Sequence, residues 1–198
     1  MSETLPIVYL VRHGETAWSL SGQHTGLTDL PLTENGRANA SRLGPRLRSL
    51  GPLEIRTSPL QRAVQTCQIA GFFDQATADP DLVEWNYGDY EGRTTAEIRA
   101  NNPDWQLFRD GCPGGESPTQ IGARADRLVN RLRGSASNSL LFSSRHFLAV
   151  LTARWLGLET GCGRFFPFDT ASLSALGYEH TRQEPVIRLF NDGHHLHD

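Results

Sequence analysis

An apolar run from Ile7 to Val11 stops abruptly on Arg12 and His13 and is followed at once by Gly14 and Glu15. Short runs of β-branched and aromatic residues closed by glycine read as buried strands, and in α/β folds ligands gather at the carboxyl ends of such strands. The run therefore predicts a strand that delivers a guanidinium and an imidazole to a binding edge. A second stretch repeats the arrangement. The apolar Leu53 to Ile55 precede Thr57, and Ser58, Pro59 and Gln61 follow with helix-start chemistry. They predict Ser58 as N-cap, Pro59 at the first helical position and Gln61 closing a capping box. Arg62 would lie in the first turn of that helix, whose N-terminus already favours anions. Two strand ends, each supplying an arginine, predict an anion pocket.

The rest of the chain alternates strand and helix. Residues 33 to 50 read as a helix despite Gly36 and Pro45, with Leu43, Leu47 and Leu50 on one face, and strand two covers about 53 to 57. The helix begun by Pro59 runs to Ala70, and Leu82 and Val83 are expected to form a short strand before Glu84. Thr94 and Ser117 each carry a capping-box pattern that opens a helix, the second running to about Arg133. Leu140 to Phe142 predict a further buried strand, 146 to 157 a helix, and 171 to 178 and 185 to 190 two late strands. This order predicts a three-layer α/β/α sandwich with a mostly parallel central sheet. One domain over residues 1–198 is expected, with an excursion at about 87–116 covering the site.

Composition narrows the chemistry. The net charge of −3 offers no general attraction for nucleic acid or an anionic membrane, so neither is expected as a partner and any anion affinity must be local. All 19 basic residues are arginine. Schiff-base catalysis, a pyridoxal site and a lysine-bearing phosphate loop are thereby excluded. Guanidinium groups instead hold phosphate through paired, planar hydrogen bonds. Cys67, Cys112 and Cys162 are odd in number and widely spaced, and read as free thiols. The N-terminal apolar run is short for a secretory signal and lacks a preceding basic region, so a cytoplasmic address is expected.

Taken in order, the motifs resemble the histidine phosphatase superfamily, the phosphoglycerate mutase-like group. The resemblance runs from about Val8 to Tyr178. It rests on the segments 12–16, 25–33, 58–63, 84–92 and 114–117, whose order and spacing are more specific than any one alone. Residues 87–92 with 109–117 look most like the branch of acid phosphatases and sedoheptulose-bisphosphatase-like enzymes. The resemblance implies a phosphatase acting on small phosphorylated metabolites, with neither cofactor nor metal. His13 would attack phosphorus in line and form a phosphohistidine that water resolves. Arg12 and Arg62 would cradle the equatorial oxygens, with Ser19, Thr25, the Gly26 amide, Tyr87 and Ser144 as further substrate contacts. Glu84 would protonate the leaving alkoxide, its own affinity for a proton raised by the phosphate dianion beside it, which implies an acid-side optimum.

The segment 143–150 departs from the pattern. Relatives usually end this strand on His-Gly; here Ser144 stands at the histidine position, Arg145 at the glycine, and His146 two residues late. Two readings follow: Ser144 donates a hydroxyl while Arg145 or His146 supplies the lost charge, or the replacements cripple the pocket; His146 is the catalytic candidate. Arg145 is expected to strain a backbone that glycine suits. A mutase on the same scaffold and a weakly catalytic phosphometabolite-binding module are the alternatives to hydrolysis, and a homo-oligomer is left open. Asp79 and Asp81 mimic a magnesium-dependent phosphatase motif but read as a turn. His24 is expected to be a surface loop residue, and the tail His194, His195 and His197 to be disordered. Arg93, Arg109 and the loop 111–115 would either reach a second phosphate or sugar hydroxyl, or order the excursion.

Overall fold

Adjacent residues of a strand point to opposite faces, and β1 (Val8–Arg12) uses this to join two cores. In a computed structural model describing residues 5–196, Val8 and Leu10 enter one apolar cluster and Val11 the other. The elements that follow are α1 (Ala17–Ser21), α2 (Glu34–Arg48), β2 (Glu54–Thr57), α3 (Gln61–Ile69), β3 (Ala76–Ala78), α4 (Thr95–Asn101) and α5 (Leu107–Asp110). After them come α6 (Pro118–Gly134), β4 (Ser139–Ser143), α7 (Arg145–Trp155), β5 (Leu173–Tyr178) and β6 (Pro185–Asp192). Strand order across the sheet is β3-β2-β4-β1-β5-β6. The first four strands run parallel, while β5 and β6 add antiparallel pairings, so the sheet is mixed and its parallel half carries the site. Helices α6 and α7 cover the face of Leu10 and Leu141; α2 and α3 cover that of Val11, Leu140 and Phe142. The α/β layering is the one expected. Among the described residues no helix is long and apolar enough to cross a membrane.

Three local expectations are corrected. Helix α3 starts at Gln61 with Leu60 as its N-cap residue, and the Gln61 N–H is capped by Asp29 Oδ1 at 2.7 Å, from a distant loop. Ser58 Oγ makes only a 3.4 Å contact with the Leu60 N–H. Leu82 and Val83 do not form a strand; Pro80–Leu82 is a 3-10 turn capped by Asp79, and the strand is β3, a few residues earlier. The carbonyls of Asp81 and Val83 go to Arg124, which leaves them no sheet partner. At the end of the chain His194–Leu196 form a 3-10 turn, with the His195 ring buried 3.0 Å from the Ala171 carbonyl. His197 lies outside the described residues.

Candidate active site

The carboxyl end of β1 places Arg12 and His13 against one cavity of about 230 Å³. The turn after them needs glycine, because a Cβ on Gly14 would sit 2.6 Å from the Gly36 carbonyl oxygen. The His13 N–H is held by the Ser143 carbonyl at 2.9 Å, and the Ala171 N–H reaches back to the Arg12 and His13 carbonyls, both at 3.1 Å. Ala171 adopts φ 57°, a left-handed conformation costing a non-glycine residue about 1–2 kcal/mol, so the strand end is fixed at the expense of local strain. His13 Nδ1 lies 2.7 Å from the Gly14 carbonyl. A carbonyl only accepts, so Nδ1 carries the proton and Nε2 keeps the lone pair. Burial, then the charges of Arg62 and Arg12, hold the imidazole well below its ordinary pKa. The ring is therefore a neutral base at mildly acid pH.

Glu84 enters the cavity wall from the segment that follows the Pro80–Leu82 turn. Its Oε1 accepts from the Trp85 and Phe147 N–H groups, both at 2.8 Å, and its Oε2 from the His146 N–H at 3.0 Å. The His146 and Phe147 amides are orphan donors of the first turn of α7, where a negative charge is favoured. The carboxylate thus does what the cap residue Ser144 does not, since Ser144 makes no side-chain capping bond. His146 Nδ1 is 2.5 Å from the Tyr87 hydroxyl. Burial foremost, with the neighbouring His24 and the Arg145 and Arg12 charges, pushes the His146 pKa well down, while burial pushes that of Tyr87 well up. Both rings are neutral, and the pair is a polar partnership without net charge.

The structure gathers Arg12, His13, Ser19, Thr25, Glu84, Tyr87 and His146 around this cavity. Gly26, Arg62 and Ser144 stand outside its wall. The Gly26 amide donates to Glu91 Oε1 at 2.8 Å and is not directed at a ligand. Arg62 is fully buried and binds the carbonyls of Thr28, Thr25 and Gly26 at 3.0, 3.1 and 2.7 Å. It holds the 25–28 loop and reaches His13 through its charge. Ser144 is buried with its hydroxyl unpartnered. The Ser19 hydroxyl lines the cavity but is also engaged with Thr16 in the capping box of α1. Arg145 sits in the first turn of α7 with ordinary helical backbone, so the expected glycine-only strain does not arise.

His24 is not the surface loop residue expected. It is buried in the cavity wall, its ring 4.7 Å from Tyr87 and 6.0 Å from His146, and burial brings its pKa down to about 4. No local pattern marks it, because its neighbours come from the excursion. Arg124 was also unforeseen. It is buried on α6, pairs both Glu116 oxygens at 3.0 and 2.8 Å, and takes the carbonyls of Asp81, Val83 and Glu84 at 2.9, 2.7 and 3.2 Å. This arginine positions the Glu84 segment. Asp79 and Asp81 pair with Arg131, and Asp81 also with Arg127, as turn residues rather than a metal pair. Arg93 and Arg109 line neither this cavity nor the adjoining recess; Arg109 is bonded to Asp110, and the 111–115 loop is tied through the Pro113 carbonyl to the Asp89 N–H and through the Gly111 carbonyl to the Trp105 indole.

Residues 8–193 match the family model described as histidine phosphatase superfamily, branch 1. The chain belongs to this superfamily. It is 42% identical to the acid phosphatase of Mycobacterium tuberculosis over 188 residues, 91% of each chain. It is 39% identical to sedoheptulose 1,7-bisphosphatase of Saccharomyces cerevisiae over 190 residues, 80% of this chain and 70% of the yeast protein. A solved structure from M. tuberculosis superposes with a TM-score of 0.89 at 38% identity, covering 96% of this chain and 99% of that one. The fold expected of a histidine phosphatase is therefore the fold observed.

Proposed function

We propose that this histidine phosphatase is a phosphoric monoester hydrolase acting on small phosphorylated metabolites through a phosphohistidine on His13. The observation that carries the reading is the His13 tautomer: Nδ1 bonded to the Gly14 carbonyl leaves Nε2 free in a cavity shared with Arg12. In the first step Nε2 bonds to phosphorus as the ester P–O bond breaks, and Glu84 gives its proton to the leaving alkoxide. In the second step Glu84 takes a proton from water, whose oxygen attacks phosphorus, releasing inorganic phosphate and restoring the imidazole. Glu84 Oε2 has a single N–H partner, which leaves it lone-pair capacity to carry that proton. Arg12 in the cavity wall and buried Arg62, whose charges both bear on His13, supply the positive charge for the phosphoryl oxygens. Thr25, Ser19 and the Tyr87–His146 pair offer polar contacts to the remainder of the substrate. Three unpaired cysteines support an address in a reducing compartment, the cytoplasm.

The test is trapping of phosphoenzyme by denaturing quench at alkaline pH, where a phosphohistidine P–N bond survives, during turnover of a panel of phosphorylated sugars and glycerates. Wild type should release inorganic phosphate and trap label on His13, and His13→Ala should do neither. Comparable turnover by the two proteins refutes the nucleophile, and an isomerised ester in place of phosphate would make the enzyme a mutase. In the same panel Glu84→Gln should slow poor leaving groups by about 100-fold or more and activated aryl phosphates much less.

A further inference from the structure

Arg145 is the first residue of α7 and lines the cavity together with Arg12, His13 and His24. It is exposed, and among the described residues no hydrogen bond or ion pair engages its guanidinium. Arg109, Arg127 and Arg131 each meet a carboxylate within 2.8 Å; of the exposed arginines without such a partner among the described residues, Arg145 is the one in this cavity wall. Glu84 is the one acid in the cavity wall, and it makes no ion pair with Arg145: its oxygens accept from N–H groups of Trp85 and α7. The neighbouring rings, His24 and His146, are held neutral. An unpaired cation beside neutral donors is an arrangement that an anion completes.

Arg145 shares the cavity wall with His24 and His146, the two rings that also wall a second recess. Arg145 therefore lies toward the side where the leaving alcohol must sit. There the cavity adjoins that recess, which is of about 230 Å³ and is walled further by Trp105, Leu107 and Phe108. We propose that Arg145 binds an anionic group on the leaving alcohol, a carboxylate or a second phosphate, and so selects phosphorylated acids and bisphosphates among possible esters. This specificity rests on the phosphatase reading above.

Matched pairs of esters test it: phosphoglycerate against glycerol phosphate for the carboxylate, and a sugar bisphosphate against its monophosphate for the second phosphate. Wild type should prefer the anionic member of at least one pair in kcat/KM, and Arg145→Gln should shrink that preference about tenfold or more, mainly through KM, with Arg145→Lys restoring part. An unchanged preference in Arg145→Gln overturns the proposal. An equal loss on both members also overturns it, because Arg145 would then serve the phosphoryl group. Calorimetric binding of the same esters to His13→Ala, with and without Arg145→Gln, reads the discrimination without turnover. Discrimination there with no hydrolysis by wild type would refute the hydrolase and leave the anion site standing.

Discussion

Three imidazoles, His13, His24 and His146, share one cavity, and burial lowers the pKa of each below the ordinary histidine value. Neutrality suits their proposed work, since a protonated His13 has no lone pair for phosphorus. It also makes the fold acid-sensitive. The unfolded chain binds more protons than the native one below the unfolded histidine pKa, so this stability is full above that value and is lost as pH falls through the folded values. For His24 the window runs from 6.5 down to about 4. Melting temperature should therefore drop between pH 7 and pH 4, and His24→Gln, which removes one titrating ring, should melt with a shallower dependence over that range; parallel curves would contradict the assignment. Arg12, His13 and Glu84 were legible in sequence because each sits beside a strand end or a motif of fixed spacing. His24 was not, because its burial comes from Tyr87 and Trp105, more than sixty residues away.

At the scale of elements, the site depends on capping that crosses the chain. Asp29 caps α3, Glu84 caps α7, and Glu91 holds the amides of Gly26 and Thr28 at 2.8 and 3.1 Å. Local capping boxes at Thr94 and Ser117 were readable because donor and acceptor lie three residues apart. The remote caps were unreadable because no spacing encodes them. Arg124 is the strongest case, joining α6 to the backbone of residues 81–84 and to Glu116. Arg124→Met keeps much of the packing over Phe147 but leaves the Glu116 carboxylate and three carbonyls without their partner. It should cost roughly 3 kcal/mol in urea unfolding. A loss under about 0.5 kcal/mol, the range of ordinary surface changes, would show that the segment needs no such anchor.

For the whole molecule, the sheet decides which chemistry is reachable. Asp79 follows the edge strand β3, where Arg56 and Arg131 engage it, while His13 ends central β1 at the cavity. Turnover should accordingly persist in excess chelator, and abolition reversed by added magnesium would return the aspartates to contention. The sequence by itself determined the α/β layering, since strand and helix periodicities are local and the apolar residues of β1 and β4 can only be buried between layers. It also determined the family, through motifs whose order survives along the chain. Tertiary structure alone decided that the sheet is mixed, that Arg62 binds the carbonyls of the 25–28 loop while the Gly26 amide donates to Glu91, and that His24 and Arg145 join the wall. Those outcomes follow from contacts between residues distant in sequence, and such contacts exist only once the layers have packed.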